Sequence, residues 1–236
     1  MQRECLHKLF NIAMGNKTAI SKIFFVGLLF IITPLVASAQ NELNWSVKAS
    51  LGMANLTGDY MESSKIRLAY KLGIGLDCPF NQAWSLQTGI FFASKGTNHT
   101  YIEGDGISAQ AQVNALYLEL PLMAAARFAI NRNTNIVVSA GPYGAWGVGG
   151  KTKAVAYSWA SSSGRPEWDE GKVTEMDTFD NEFFDLRHFD YGVGAGIAVE
   201  YRRYVLGVEG QMGFGKLQKE VGAKNLTGFV TVGYKF

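Results

Sequence analysis

The chain has 236 residues, and its 22 Lys and Arg against 20 Asp and Glu leave it nearly neutral, which excludes the strongly basic face that a nucleic-acid partner requires. Two cysteines in this length, Cys5 and Cys78, exclude a disulfide-stapled fold. The length suits one domain, and no linker-like shift in composition divides it.

In chain order, Lys17 and Lys22 precede the apolar run IFFVGLLFII (Ile23 to Ile32), and TPLVASAQ then sets Ala37 and Ala39 in an A-x-A arrangement before Gln40. This charged, apolar, small-residue order predicts a secretory signal peptide over residues 1–39. Residues 1–13 read as an upstream extension, because Met14 is the more ordinary start. The run falls short of the roughly 20 residues that a spanning helix needs. Arg3, Lys8, Lys17 and Lys22 leave with the leader against Glu4 alone, so the mature part, residues 40–236, stays near neutral. Cys5 leaves too, and no Cys follows the cut, so neither a lipoprotein anchor nor an intramolecular disulfide is expected. An exported chain without disulfides needs a large core or a solvent other than water.

From Trp45 onward apolar residues recur at every second position, the period of a strand with two unlike faces. Trp45, Val47, Ala49, Leu51 and Met53 alternate with Ser46, Lys48, Ser50 and Gly52. A second strand sets Ile66, Leu68, Tyr70, Leu72, Ile74 and Leu76 against Arg67, Lys71, Gly73, Gly75 and Asp77. The third sets Trp84, Leu86, Ile90 and Phe92 against Ser85, Gln87, Phe91 and Ala93, and the fourth sets Leu116, Leu118, Leu120, Leu122 and Phe128 against Tyr117, Glu119, Pro121 and Arg127. The fifth, Asn135 to Trp146, alternates least well, since Val137 and Tyr143 fall on the polar series. The sixth runs from Tyr191 to Tyr201 opposite Gly192, Gly194, Gly196 and Glu200, the seventh carries Tyr204, Leu206 and Val208 opposite Glu209, and the eighth closes the chain from about Leu226.

Turns and long connections alternate as well. CPFNQA, INRNT and the pair Arg202–Arg203 are tight, whereas NLTGDYMESS, the stretch around GTNHTYIEGDG and the segment from Gly149 to His188 are long. This predicts an all-β, eight-stranded antiparallel up-and-down barrel with both chain ends on the short-turn side. Alternation alone does not say which face lies inside, because a soluble barrel buries the apolar series and a membrane barrel exposes it to lipid. Three features favour the transmembrane form. The other series is rich in Gly, Ala and Ser, which suits a crowded lumen better than a solvated surface. Trp45, Trp84, Phe128, Tyr201, Tyr204, Tyr234 and Phe236 gather at the short-turn ends as an interfacial girdle would. The alternating segments, about 9 to 12 residues each, have the length that a tilted strand needs to cross the hydrocarbon.

The stretches YLELPLMAAARF (Tyr117 to Phe128), AGPYGAWG (Ala140 to Gly147), FDYGVGAGIAVEY (Phe189 to Tyr201) and GFVTVGYKF at the end resemble the outer-membrane β-barrel proteins labelled "porin family" or PorT-like. The resemblance covers Trp45 to Phe236 and implies a barrel in a Gram-negative outer membrane. It also implies that the closing aromatics Tyr234 and Phe236 are an assembly signal read by the barrel-assembly machinery. The segment from Gly149 to His188 is long for that family.

Other motifs carry plainer readings. GVGGKT (Gly147 to Thr152) resembles a phosphate-binding loop but has Ala145 where the pattern needs Gly, and reads as a strand end entering a loop. GVGAG (Gly192 to Gly196) places its glycines on one strand face. His99 and His188 are the histidines of the mature part, and His188, Asp190 and a loop Ser could be assembled into a hydrolytic site, although no spacing requires it. Asp169, Glu170, Glu175, Asp177, Asp180, Glu182 and Asp185 cluster with Trp168, Phe179, Phe183 and Phe184; they read as a solvated segment, with calcium or an external partner as the alternative. No cofactor is expected.

The inward series carries the site to watch. Lys48, Lys71, Glu119 and Glu209 are expected near mid-height, and Asp77, Arg127, Glu200 and Lys235 near the short-turn rim. An eight-stranded barrel is just wide enough for side chains to fill, so these groups are expected to pair as a lumen charge network, Glu119 with Lys71 or Lys48, and Lys71 alternatively with Glu209. A substrate path is the competing reading. The functional expectation is a non-enzymatic outer-membrane barrel whose loops serve surface interaction, envelope integrity or secretion. A narrow porin and a lipid-modifying or proteolytic enzyme are the alternatives. Expected partners are outer-membrane lipid, the assembly machinery and an extracellular or envelope partner.

Overall fold

The computed structural model describes residues 43–57, 65–104, 107–160, 167–179, 186–215 and 223–236. The expected leader lies outside them. Nine strands form: β1 (Asn44–Thr57), β2 (Arg67–Pro79), β3 (Trp84–Gly104), β4 (Ile107–Asn131), β5 (Thr134–Ala160), β6 (Glu167–Asp177), β7 (Phe189–Tyr201), β8 (Tyr204–Gly213) and β9 (Lys224–Lys235). Every strand pairing is antiparallel, and each joins strands consecutive in sequence except β5 with β7 and β1 with β9. β1 pairs with β9 from Ser46↔Lys235 to Thr57↔Lys224, so the sheet closes on itself. The barrel is therefore eight-stranded, with β6 hanging from the outer part of β5 as the return arm of a hairpin.

Closure follows from the solvent. In hydrocarbon an unpaired strand edge strands backbone N–H and C=O groups, and only a closed barrel pairs them all. The outward series accordingly meets lipid: Leu51, Leu68, Ile74, Leu206, Val230 and Val232 are all exposed. Trp45, Trp84, Phe128, Tyr201, Tyr204 and Phe236 ring the short-turn rim, with Tyr234 edge-on to Tyr204 and Phe236 at 5.5 and 5.4 Å. A second aromatic group, Trp146, Phe189 and Tyr191, with ring centroids 6.5 and 5.8 Å apart in sequence, marks the opposite edge of the band. Girdles at both interfaces are the membrane-barrel arrangement. Cys78, a free cysteine near the short-turn end of β2, is buried.

Two expectations about connections need correction. The stretch around GTNHTYIEGDG is not a loop: β3 continues to Gly104 and β4 starts at Ile107. GVGGKT does not lead into a loop either, since β5 runs on to Ala160. Strands of this length, roughly 80 Å of contour for 25 residues at about 3.3 Å each, far exceed a hydrophobic band about 25 Å tall. The wall rises well past the lipid. Its pattern inverts there, with Val113 and Ala115 buried inside and Gln112, Lys151 and Lys153 exposed outside. A register shift between Leu116 and Tyr117 accompanies the inversion. Gly150, at φ 132°, lies beside it, and a Cβ there would stand 2.0 Å from the Asn114 carbonyl oxygen.

Candidate functional site: the layered lumen

Residues facing the lumen sort into three layers. At the short-turn rim Arg127 sits between two carboxylates, 2.5 Å from Asp77 Oδ2 and 3.1 Å from Glu200 Oε2. Lys235 completes the ring by contacting Glu200 closely and Asp77 at 3.6 Å. The four come from β2, β4, β7 and β9, so the ring ties strands that do not pair with one another. A charge pair here gains more than in water, but only while each ion keeps its partner.

The middle layer joins Lys71 to both Glu209, in close contact, and Glu119 at 3.6 Å. The Phe91 and Phe229 rings flank the Lys71 ammonium at 5.4 and 5.2 Å, a cation–π arrangement. Both alternatives weighed for Lys71 thus occur together. Lys48 makes no ion pair or hydrogen bond among the described residues; it stands apart from Glu119.

In the third layer sequence reasoning missed Lys95 and the place of Asp190 in the lumen. Lys95 on β3 is fully buried and lies 2.8 Å from Glu119 Oε2 and 3.5 Å from Asp190 Oδ2. The Tyr143 ring is 4.2 Å from the ammonium. Asp190 also accepts hydrogen bonds from Tyr143 Oη at 3.2 Å and Asn225 Nδ2 at 2.9 Å, and Gln211 Nε2 donates to Glu119 Oε1 at 2.6 Å. Lys95 and Asp190 follow the same inward parity as Ala93 and Gly192, which is the signal that could have found them.

Above the ions lies an apolar cluster of Leu56, Val113, Ala115, Tyr117, Tyr143, Ala145, Phe179, Leu186 and Ala223. Phe179 follows β6 and lays its ring where a Cβ on Gly147 would stand, edge-on to Tyr117 at 5.6 Å. Thr178 anchors it, its backbone N–H bonding the Gly150 carbonyl at 3.1 Å and its hydroxyl the Asn114 carbonyl at 2.8 Å.

A hydrolytic pairing of His188 with Asp190 is not formed. His188 Nδ1 is 2.9 Å from the Gly147 carbonyl oxygen, and its ring stacks on Trp146 and Phe179 at 5.6 and 4.8 Å. Asp190 is engaged by Lys95, Tyr143 and Asn225 instead. Asp169, Glu170, Glu175 and Asp177 lie on β6, whereas Asp180, Glu182, Asp185, Phe183 and Phe184 fall outside the described residues. Glu175 pairs with Lys151 at 2.9 Å and Lys153 at 3.6 Å. The hydrogen bond from Lys151 holds the Glu175 carboxyl below the usual range, yet so exposed a pair stabilises little. At the chain end, the Phe236 N–H bonds the Trp45 carbonyl at 2.9 Å and Arg203 reaches Tyr234 Oη at 3.3 Å.

Comparison with known proteins bears on the barrel from β1 to β8. A family model described as "Outer membrane protein beta-barrel domain" matches residues 38–218. The chain belongs to this outer-membrane β-barrel family. Solved structures similar to this family member include Ail, the attachment invasion locus protein of Yersinia pestis, at 16% identity, with 83% of this chain and 100% of that one covered and a TM-score of 0.38. Neisserial surface protein A is similar at 10% identity, covering 83% and 100%, with a TM-score of 0.42. The outer membrane enzyme PagL is similar at 12%, covering 80% and 98%, with a TM-score of 0.41. No curated protein matches by sequence.

Proposed function

We propose that this outer-membrane protein is a closed, non-enzymatic barrel whose work is done by the β-hairpins that rise above the membrane, as an interaction surface for an extracellular or envelope partner. The observation that carries the reading is the filling of the lumen. Lys95, Glu119 and Tyr117 are fully buried at its centre, with an apolar cap above and an ion-paired ring below. A solute would have to break charge pairs in a low-dielectric interior, at a cost of several kcal/mol each. The hairpins, by contrast, present polar side chains such as Gln112, Lys151 and Lys153 to the outside. A PorT-like part in secretion, or in envelope integrity, would act through the same surface.

Purified protein in planar bilayers is expected to give little or no steady conductance. A stable, large open channel would remove this reading in favour of a narrow porin. Co-purification from membranes should then recover a partner that is lost when residues 151–177 are replaced by a short turn and the barrel still folds. A hydrolytic activity abolished by His188→Ala would instead establish an enzyme.

A further inference from the structure

Between the rim ring and the middle layer lies a cavity of about 90 Å³, lined among others by Lys48, Gln87, Ser50, Ser139, Glu209 and Thr231. That is room for several waters, or for a small anion with the waters that remain on it. The stem of Lys48 is seated between two glycines: Cβ atoms on Gly75 and Gly233 would lie 3.5 Å from its Cε and 3.1 Å from its Cγ. A side chain at Gly233 would crowd the stem, and one at Gly75 would touch it, so the two glycines leave it its place in the chamber wall.

Three cations, Lys48, Lys71 and Lys235, and three carboxylates, Asp77, Glu200 and Glu209, line the chamber, but they do not all pair with one another. Asp77 and Glu200 are taken by Arg127 and Lys235, and Glu209 is taken by Lys71. Arg127, from the rim, takes up one of those carboxylates, so Lys48 is left with no ion pair or hydrogen bond among the described residues. Further out, Lys71 and Lys95 share Glu119, and Lys95 also faces Asp190. An ammonium withdrawn from bulk water without a partner is strongly disfavoured. The neutral lining offers donors: Ser50 and Thr231 share one hydrogen bond of 2.8 Å, so one hydroxyl of the pair keeps its proton for another acceptor, and Ser139 and the Gln87 amide line the same space.

We propose that this chamber binds a monovalent anion of chloride size, neutralising Lys48. The ion enters from the short-turn side, past the ring of Asp77, Arg127, Glu200 and Lys235. It is a resident of the closed barrel rather than a permeant species.

Crystals of the full barrel soaked in sodium bromide test this directly, with an anomalous peak expected in the chamber within ion-pair distance of Lys48 Nζ. In detergent solution, chloride is expected to raise the unfolding midpoint over gluconate at equal ionic strength by about 2–4 °C. Lys48→Met should abolish both effects, and Lys151→Gln should leave both. Absence of the bromide peak from the wild-type chamber overturns the proposal even if Lys48→Met does not assemble. A crystal peak without any solution shift means binding at crystal concentration only, and overturns it as well. So does a chloride effect that persists in Lys48→Met.

Discussion

Lys95→Met lowers the resistance of the barrel to urea by about 3–5 kcal/mol, the penalty for breaking a buried pair and leaving its carboxylates uncompensated. Lys95 is the cation that two fully buried acids share, at 2.8 Å from Glu119 and 3.5 Å from Asp190. After the substitution Glu119 retains Lys71 at 3.6 Å and Gln211, whereas Asp190 retains only the neutral donors Tyr143 and Asn225. Adding Glu119→Gln to Lys95→Met removes one of the stranded charges, so the double variant should be more stable than Lys95→Met alone. Unfolding in lipid vesicles, followed by tryptophan fluorescence, measures both. Strict additivity of the two substitutions would mean that the lumen is wet and that these ions act independently.

Gly52→Val should abolish the folded barrel altogether. Gly52 lies on the closing seam, paired with Phe229 across β1 and β9. A Cβ there would stand 1.9 Å from the Gly228 carbonyl oxygen and 2.7 Å from the Phe229 Cα, both backbone atoms of the partner strand. A flexible side chain could swing away, but the strand cannot retreat without opening the seam and stranding backbone groups in lipid. The expected result is loss of the heat-modifiable form on electrophoresis. Gly228→Ala is the control: nothing lies within 4 Å of its Cβ position, so that variant should fold normally. A heat-modifiable Gly52→Val protein would show that the seam tolerates a side chain.

The sequence made the membrane-embedded part legible because lipid imposes a strict rule on it. Outward positions such as Leu68 and Ile74 must be apolar, and inward positions are free to be anything that packs. Once the wall leaves the hydrocarbon that rule lapses. Past Phe92 the positions that continue its series on β3 are Ser94, Gly96 and Asn98, none of them apolar, so the strand looks like a loop although its pairing with β4 continues. Lys95 was lost with it. The weak alternation of the fifth strand has the same origin, since Val137 and Tyr143 are apolar residues on the inside, buried at 3% each. Pairing choices lie further still from what periodicity can reveal. Parity places Lys48, Lys71, Glu119 and Glu209 on the inner face, but which ammonium reaches which carboxylate depends on strand stagger and on three-dimensional height.

The burial of Cys78 gives the protein a native reporter of its own assembly. The thiol is 5% exposed in the folded barrel, and no other cysteine occurs among residues 40–236. A maleimide dye should therefore attach slowly to the membrane-inserted form and rapidly to the denaturant-unfolded chain. Labelling kinetics would then count the opened molecules at any moment, without engineered probes or removal of the lipid.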